Sequence, residues 1–518
     1  MTDTYDSDRA DGAGFNTVML HHGQTLDPEH RARAPPIYAS TSFAFEVRFL
    51  PVTNAAVARD VNSHSCLPSC CPPLSPQDSA HGADLFALKK LGPIYTRIMN
   101  PTSHVLEYRI AKLEGSKCNL DGGHPSALAT SSGLAAQMQA LLTFVQDGDS
   151  IIAASNLYGG TYAQFKHTFK GFGITVKFID GNDMAALQAA FDETTKAVYY
   201  ESISNPSYEV PDFEAISAIC KKNQVPLVVD NTFGMCGYTC RPIKFGADIV
   251  VESCTKWIGG HGNTIGGIIV DANTFDWSVT KADGTKKFPL IADPCPGYHG
   301  MNFQEVFGPT GPFKCNMAFI FAARVVSLRD MGGCPNPFGS FQLLMGLETL
   351  SLRGARHSEN ANKLAAWLEQ DPRVAWVSHL SLPAHNSHEK AKKYFRTGTF
   401  GAVLSFGVKG GAKAAALVID SVKLATHLAN VGDAKTLVIQ PAATTHQQLT
   451  EQEQIDCGVK PDMIRVSVGI ETIADIIADF DQALSAKPAA AAAAAVEDAE
   501  VKGLDTEVKP DESCCSIV

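Results

Sequence analysis

Pro226-Leu227-Val228-Val229-Asp230 and Asp248-Ile249-Val250-Val251-Glu252-Ser253-Cys254-Thr255-Lys256-Trp257-Ile258-Gly259-Gly260-His261-Gly262 are the stretches that decide the architecture. Each opens with a short apolar run of the kind that forms a strand covered on both faces, and each leaves that run on polar residues. Similar runs recur at Ser150-Ile151-Ile152-Ala153, Thr175-Val176-Lys177-Phe178-Ile179, Ala197-Val198-Tyr199-Tyr200 and Gly266-Gly267-Ile268-Ile269-Val270. Between them apolar residues fall at three- and four-residue spacing, as in Leu134, Met138, Leu141 and Leu142, which is helical. Strands alternating with helices from about 81 to 310 predict an α/β domain with a mostly parallel sheet flanked by helices.

Working outward, a Gly/Pro-rich region near Pro294 to Pro312 leads to a long helical stretch and a smaller mixed segment (Gly401 to Phe406, Met463 to Val468). These give a smaller C-terminal α/β domain over 311–485. Residues 1–80 form an N-terminal arm interrupted by an inserted loop at 47–77, with five prolines, three cysteines and no periodicity. That loop opens on Val47, whose codons all start GT, and closes on Gln77, one of whose codons ends AG, so a retained intron is an explicit hypothesis. Residues 486–518 begin with an alanine run, turn acidic and predict a disordered tail.

The chain has 518 residues, 45% of them hydrophobic and 19% charged, which excludes overall disorder. Lys+Arg 43 against Asp+Glu 54 gives a formal charge of −11, and with no dense basic run a nucleic-acid partner is not expected. No apolar run has the length of a membrane span, so a cytoplasmic protein is expected. Its 14 cysteines then read as free thiols. His64 with Cys66, Cys70 and Cys71 lacks paired CxxC spacing, and no metal is expected. The end Cys515-Ser516-Ile517-Val518 fits the C-a-a-X outline, but Asp505, Glu507, Asp511 and Glu512 stand where basic residues would aid membrane binding, so a free tail is expected.

Chemistry centres on Lys256. Apolar neighbours disfavour its charged form, and a neutral amine is what Schiff-base formation with an aldehyde needs. Ser253 and Thr255, two apart on an extended backbone, would face the same way and suit a phosphate. The ordinary alternative is a solvated loop lysine beside capping hydroxyls. Asp230, at the carboxyl end of a central strand, stands where ligands bind in such sheets and suits a protonated ring nitrogen; a turn or helix-capping aspartate is the commoner use. Thr130-Ser131-Ser132-Gly133-Leu134 opens a helix whose first N–H groups offer an anion site. Tyr158, in Asn156-Leu157-Tyr158-Gly159-Gly160-Thr161, is an aromatic that can lie on a planar ring. An aldehyde, a phosphate, a flat ring and a ring nitrogen are together the features of pyridoxal phosphate.

The sequence resembles the Cys/Met-metabolism family of pyridoxal-phosphate enzymes over about 15–46 and 78–485. The stretches that carry the likeness are His81 to Leu88, Gly92 to Thr102, the Tyr158 motif, Ser204-Asn205-Pro206, the Lys256 motif, Pro441 to His446 and Arg465 to Glu471. The resemblance implies an aspartate-aminotransferase-like fold (fold type I) and a role for each matching residue. By that likeness Lys256 would form the internal aldimine with pyridoxal 5'-phosphate and move the substrate protons, and Asp230 would hold the pyridinium. Ser132, Gly133, Leu134, Ser253 and Thr255 would take the phosphate, joined by Tyr95 and Arg97 of a neighbouring subunit. Tyr158 would stack on the ring, Asn205 would lie near the ring hydroxyl, and Arg465 would clamp the substrate carboxylate. Asn430 would stand where many relatives have a carboxylate-binding serine. The assembly would be a homotetramer with active sites shared across dimers.

The stretches Leu85 to Thr102 and Asp271 to Phe313 resemble the O-acetylhomoserine sulfhydrylase subgroup, implying replacement of acetate by sulfide on O-acetylhomoserine to give homocysteine. The same core residues serve cystathionine γ-synthase, cystathionine γ-lyase and methionine γ-lyase, which remain alternatives. A product inactivated by the 47–77 insertion is an alternative of another class. A nucleotide-binding dehydrogenase would need GxGxxG after the first strand, and no such run occurs.

Overall fold

The computed structural model describes residues 14–24, 32–44, 79–118, 125–445, 447, 450, 454 and 458–486. The 47–77 loop, the His64 to Cys71 set, His446 and the tail from 487 lie outside them.

A seven-stranded sheet is built from β1 (Ala127–Thr130), β2 (Ser150–Ala154), β3 (Thr175–Ile179), β4 (Thr195–Glu201), β5 (Leu227–Asp230), β6 (Ile249–Ser253) and β7 (Gly267–Asp271). Its order is β1-β7-β6-β5-β4-β2-β3. Neighbours run parallel from β6 through to β3, while β7 is antiparallel to both β6 and β1. The mostly parallel sheet is therefore present, with each of the six expected strands in place. Strand β1 is additional: Ala127-Leu128-Ala129-Thr130 is too short and alanine-rich to signal a strand, and antiparallel pairing with β7 makes it one.

Helices cover the sheet, and their ends are legible in the sequence. The helix Pro101–Glu114 starts with Asn100 accepting from Thr102 N at 3.0 Å, has Pro101 at its first position and stops at Gly115, whose φ of 91° is left-handed. Phe213–Lys222 is capped by Asp212, and Gly133–Leu142 by Ser132.

The smaller sheet has β8 (Val374–Ser378), β9 (Val403–Val408), β10 (Thr426–His427), β11 (Leu437–Ile439) and β12 (Met463–Ser467) in the order β10-β11-β12-β9-β8. Apolar packing favours a division between the two units later than the expected residue 310. Met317, Phe319 and Leu350 belong to the core of the larger sheet, whereas the smaller core takes up Ala361, Leu364 and Leu368 of the helix Leu350–Gln370. We therefore propose a boundary within that helix.

Three features lock the 313–331 region onto the larger sheet. Arg324 donates to Glu107 at 2.7 Å, to the Ala127 carbonyl at 2.8 Å and to the Ile98 carbonyl at 3.0 Å, with both charged side chains buried. Cys118 and Cys315 form a disulfide, which corrects the expectation of free thiols for this pair. Asn273 holds the same two segments together, accepting from Cys118 N and donating to the Asn316 carbonyl. Among the described residues no helix is long and apolar enough to cross a membrane.

Arg324→Met should strand the Glu107 carboxylate in the core and destabilise the larger unit by about 3–5 kcal/mol. A lower urea midpoint would register it, and adding Glu107→Gln should recover part of the loss.

Candidate active site

A cavity of about 410 Å³ opens at the carboxyl ends of β4, β5 and β6, closed on its far side by Asn430, Val431 and Arg465 of the C-terminal part. It is lined by Ser132, Gly133, Leu134, Tyr158, Asn205, Asp230, Ser253, Thr255 and Lys256, so eleven of the thirteen residues expected from the sequence converge there. A wider open cleft of about 780 Å³ beside the helix Phe213–Lys222 contains none of them.

Strand register does the gathering. Glu201 lies opposite Asp230, and Asp230 opposite Val251, two residues before Ser253. Alternation along a strand then puts Glu201, Asp230 and Ser253 on one face. Beyond Ser253 the chain turns. Lys256 N donates to Ser253 O at 3.2 Å and Gly260 N to Lys256 O at 2.7 Å. The extended reading of Ser253-Cys254-Thr255 is thus corrected: β6 ends at Ser253, and a turn, not alternation, brings the Thr255 hydroxyl to the cavity. That hydroxyl donates to Gly266 O and accepts from Gly266 N, fixing the turn against the start of β7.

Lys256 projects from this turn and its Nζ donates to Asn430 Oδ1 at 2.6 Å. Burial, reinforced by the positive charge of Arg465, brings its pKa down to about 8. Asp230 accepts from Thr232 N at 2.9 Å, with the Thr232 hydroxyl and the Tyr199 phenol close by, while burial pushes its carboxyl up. These neighbours are neutral. A buried carboxylate with no ion-pair partner among the described residues fits a cationic ligand group such as a protonated ring nitrogen.

At the other end, Gly133 begins a ten-residue helix whose first N–H groups have no intrahelical acceptor. Ser132 Oγ is committed to Ala135 N at 3.1 Å. A Cβ on Gly133 would come within 2.7 Å of Ser253 Cβ, so glycine is what allows the helix to meet the Ser253 corner. Backbone donors beside a serine hydroxyl suit a phosphate.

Tyr158 is 48% exposed and stands at the mouth, its ring edge so near Gly160 that a Cβ there would sit 2.5 Å from it. Its backbone N donates to Glu201 Oε1 at 2.6 Å. Arg465 leaves the middle of β12 and is 5% exposed; its Nη1 reaches Asn205 Oδ1 at 3.5 Å, and among the described residues no carboxylate pairs with it. A buried guanidinium of this kind fits a ligand carboxylate.

Tyr95 and Arg97 are not in this cavity. Tyr95 is 40% exposed on a turn bridged to Ser42, the Arg97 guanidinium lies 5.5 Å from its ring centroid, and Arg97 donates to the Arg329 carbonyl. Sequence reasoning missed Glu201, Gln137 and Thr232. Gln137 Oε1 accepts from Tyr199 at 3.0 Å and Thr161 at 3.1 Å, behind Asp230. Glu201 ends an apolar strand as Asp230 does, and that signal would have found it.

Comparison with known proteins agrees with this geometry. Residues 74–485 match the sequence model of the Cys/Met metabolism PLP-dependent enzymes. Homocysteine synthase of Schizosaccharomyces pombe is 52% identical over 91% of this chain and 98% of its own length. O-acetyl-L-homoserine sulfhydrylase 1 of Thermus thermophilus is 46% identical over 91% of this chain and 100% of its own. A Campylobacter jejuni crystal structure described as an O-acetylhomoserine (thiol)-lyase, which contains N'-pyridoxyl-lysine-5'-monophosphate, superposes with a TM-score of 0.78 at 32% identity, covering 91% of this chain and 100% of that one.

Because the Lys256 pKa is lowered from 10.5 to about 8, the amine loses its proton at a pH where an ordinary lysine is still charged. Capture of added pyridoxal phosphate by the cofactor-free protein should accordingly rise with a midpoint near pH 8. Arg465→Met removes a neighbouring positive charge and should move that midpoint upward; visible absorbance with Lys256→Ala as blank reads both.

Proposed function

The chain belongs to the Cys/Met-metabolism family of pyridoxal-phosphate-dependent enzymes, and from that premise we propose that it is an O-acetylhomoserine sulfhydrylase. The net reaction breaks the Cγ–O bond of O-acetyl-L-homoserine and forms a Cγ–S bond with hydrogen sulfide, giving L-homocysteine and acetic acid. One observation carries the reading: a buried, readily neutral lysine shares a cavity with a carboxylate and a guanidinium that have no ion-pair partner among the described residues. The names borne by relatives at 46–52% identity, homocysteine synthase and O-acetyl-L-homoserine sulfhydrylase, support the substrate pair.

Pyridoxal phosphate, when bound, supplies the aldehyde that takes up amines and the conjugated ring that accepts electron density from the substrate α-carbon. Everything else falls to the chain. Gly133, Leu134 and Ser253 would anchor the phosphate, with Ser132 and Thr255 shaping that corner. Asp230 would keep the ring nitrogen protonated, Tyr158 would cover the ring face and Asn205 would lie by its hydroxyl. Arg465 binds the substrate α-carboxylate and so orients Cα toward Lys256. Lys256 Nζ, once neutral, takes the proton from Cα and then one from Cβ, and returns protons after sulfide has added. Asn430 Oδ1 accepts from Lys256 Nζ and steadies it between these positions.

Assembly is part of the proposal. The cavity lining carries Lys256 and Arg465 as its cations, and in this reading both are taken up by other tasks than holding the phosphate. Tyr95, exposed, and Arg97, partly buried beside it, do not line their own cavity and fit a homotetramer in which each supplies the phosphate site of a neighbouring subunit. We place the enzyme in the cytosol, where the six described free cysteines suit reducing conditions and Cys118–Cys315 is an exception.

Purified protein with sulfide should turn over O-acetylhomoserine far better than cystathionine or methionine, and borohydride should fix the cofactor on Lys256. Rapid release of 2-oxobutyrate from cystathionine would move the chain to the lyases, and no turnover of any substrate would favour the inactive product. Arg465→Ala should weaken amino-acid substrates by about 1.5–3 kcal/mol, read as a rise in KM across all of them.

A further inference from the structure

One buried acid of the cavity has no part in that chemistry. Glu201 ends β4, is 7% exposed, and stands beside Asp230 on the same face of the sheet. Two backbone N–H groups converge on its carboxyl: that of Tyr158, at 2.6 Å from Oε1, and that of Asn205. They come from different loops, one following β2 and the other following β4.

The choice of side chain follows from those two donors. An ionised carboxylate offers acceptors only, on two oxygens. A glutamine would offer one acceptor oxygen and turn an NH2 group toward the other N–H. A hydrophobe would leave both donors bare in a buried place. Burying the charge next to Asp230 is costly, and both burial and that neighbour push the Glu201 carboxyl toward its neutral form. An acid kept there at that cost has work that an uncharged residue cannot do.

Tyr158 needs such a hold. Its ring is half exposed, and it precedes the continuous helical run Gly159–Ala163, Gln164–Thr168 and Phe169–Gly171, which opens on two glycines. Glycine leaves the backbone there free to turn, so the helix alone does not fix the ring. We propose that Glu201 is a positioning residue of the cofactor site, whose carboxyl ties the Tyr158 and Asn205 loops together and so sets the ring-covering aromatic and the side chain beside the ring hydroxyl as one unit. Arg465 is drawn into the same unit through its bond to Asn205 Oδ1. This deepens the sulfhydrylase reading and rests on its assignment of Tyr158 and Asn205 to the cofactor.

The test uses the full-length holoenzyme with Glu201→Gln and Glu201→Ala, each alone and combined with Tyr158→Ala. Pyridoxal phosphate affinity is titrated, and the circular dichroism of the bound cofactor's visible band reports how rigidly the ring is held. Glu201→Gln, nearly isosteric, should fold with an unchanged far-ultraviolet spectrum, weaken the cofactor about tenfold and diminish the visible dichroism. In the Tyr158→Ala background the same substitution should cost much less, because the group it positions is gone. Wild-type affinity and dichroism in Glu201→Gln would overturn the proposal, as would an equal penalty with and without Tyr158. Should Glu201→Ala fail to fold, the Gln variant and its cycle decide alone. Failure of borohydride to label Lys256 in the wild type would sink the functional reading itself, whereas a labelled wild type with a neutral Glu201→Gln would sink only this inference.

Discussion

The site depends on the parallel register of β4, β5 and β6. Parallel neighbours in register put side chains of equal position on the same face, so pairing Glu201 with Asp230, and Asp230 with Val251 two residues before Ser253, sets three polar groups on one face at the carboxyl end of an otherwise apolar layer. A slip of one residue in β5 would point Asp230 away from the cavity and Asn231 into it. Asn231 is committed to the opposite face, where it donates to Glu114 at 2.8 Å and to the Cys240 carbonyl at 2.9 Å. The polar residues that follow the strand therefore fix the register as firmly as the apolar ones within it.

Lys256 owes its place to a second constraint, the turn after β6. The buried guanidinium of Arg353 donates to the carbonyls of Trp257 at 2.8 Å and Gly346 at 2.6 Å, with Ile258 at 3.4 Å. Gly260, with φ of 70°, passes so close to Arg353 that a Cβ there would lie 2.2 Å from Nη1. Gly432 meets the turn from the other side, where a Cβ would lie 2.7 Å from Trp257 N. The glycines around Lys256 thus serve close packing of the turn between two units. This ties the position of the lysine to the helix Leu350–Gln370, the element in which the two apolar cores meet.

How much of this is legible in the sequence depends on whether the signal is local. The strands that carry the site are readable because a layer covered on both faces demands unbroken apolar runs. Lys256, Asp230 and Tyr158 are readable because reactive or polar residues interrupt or end such runs. Strand β1 is not, since four small residues become a strand only through a distant partner, with Ala127 facing Val270 and Thr130 facing Gly267. The Ser253–Thr255 geometry is misjudged when alternation is extended one turn too far. The Cys118–Cys315 bond escapes because its partners are 197 residues apart and compartment reasoning points the other way. Tyr95 and Arg97 carry no sign in their own neighbourhood of the site they are expected to serve.

The cavity is lined by the acids Asp230 and Glu201 and the bases Lys256 and Arg465, and among the described residues neither acid forms an ion pair with either base. Direct pairing would be the cheaper arrangement, because a buried charge without its complement costs several kcal/mol. In the proposed function three of the four groups would have a complement in the ligands: a ring nitrogen proton for Asp230, an aldehyde for the amine of Lys256 and an amino-acid carboxylate for Arg465. Binding would then return to the protein what folding withheld, linking ligand affinity to the stability of this region. Glu201 differs, since its complement is the chain's own backbone. Asp230, Lys256 and Arg465 keep neutral partners in Thr232, Asn430 and Asn205 and would gain a charged or reactive one from a ligand, whereas Glu201 has the Tyr158 N–H and needs none.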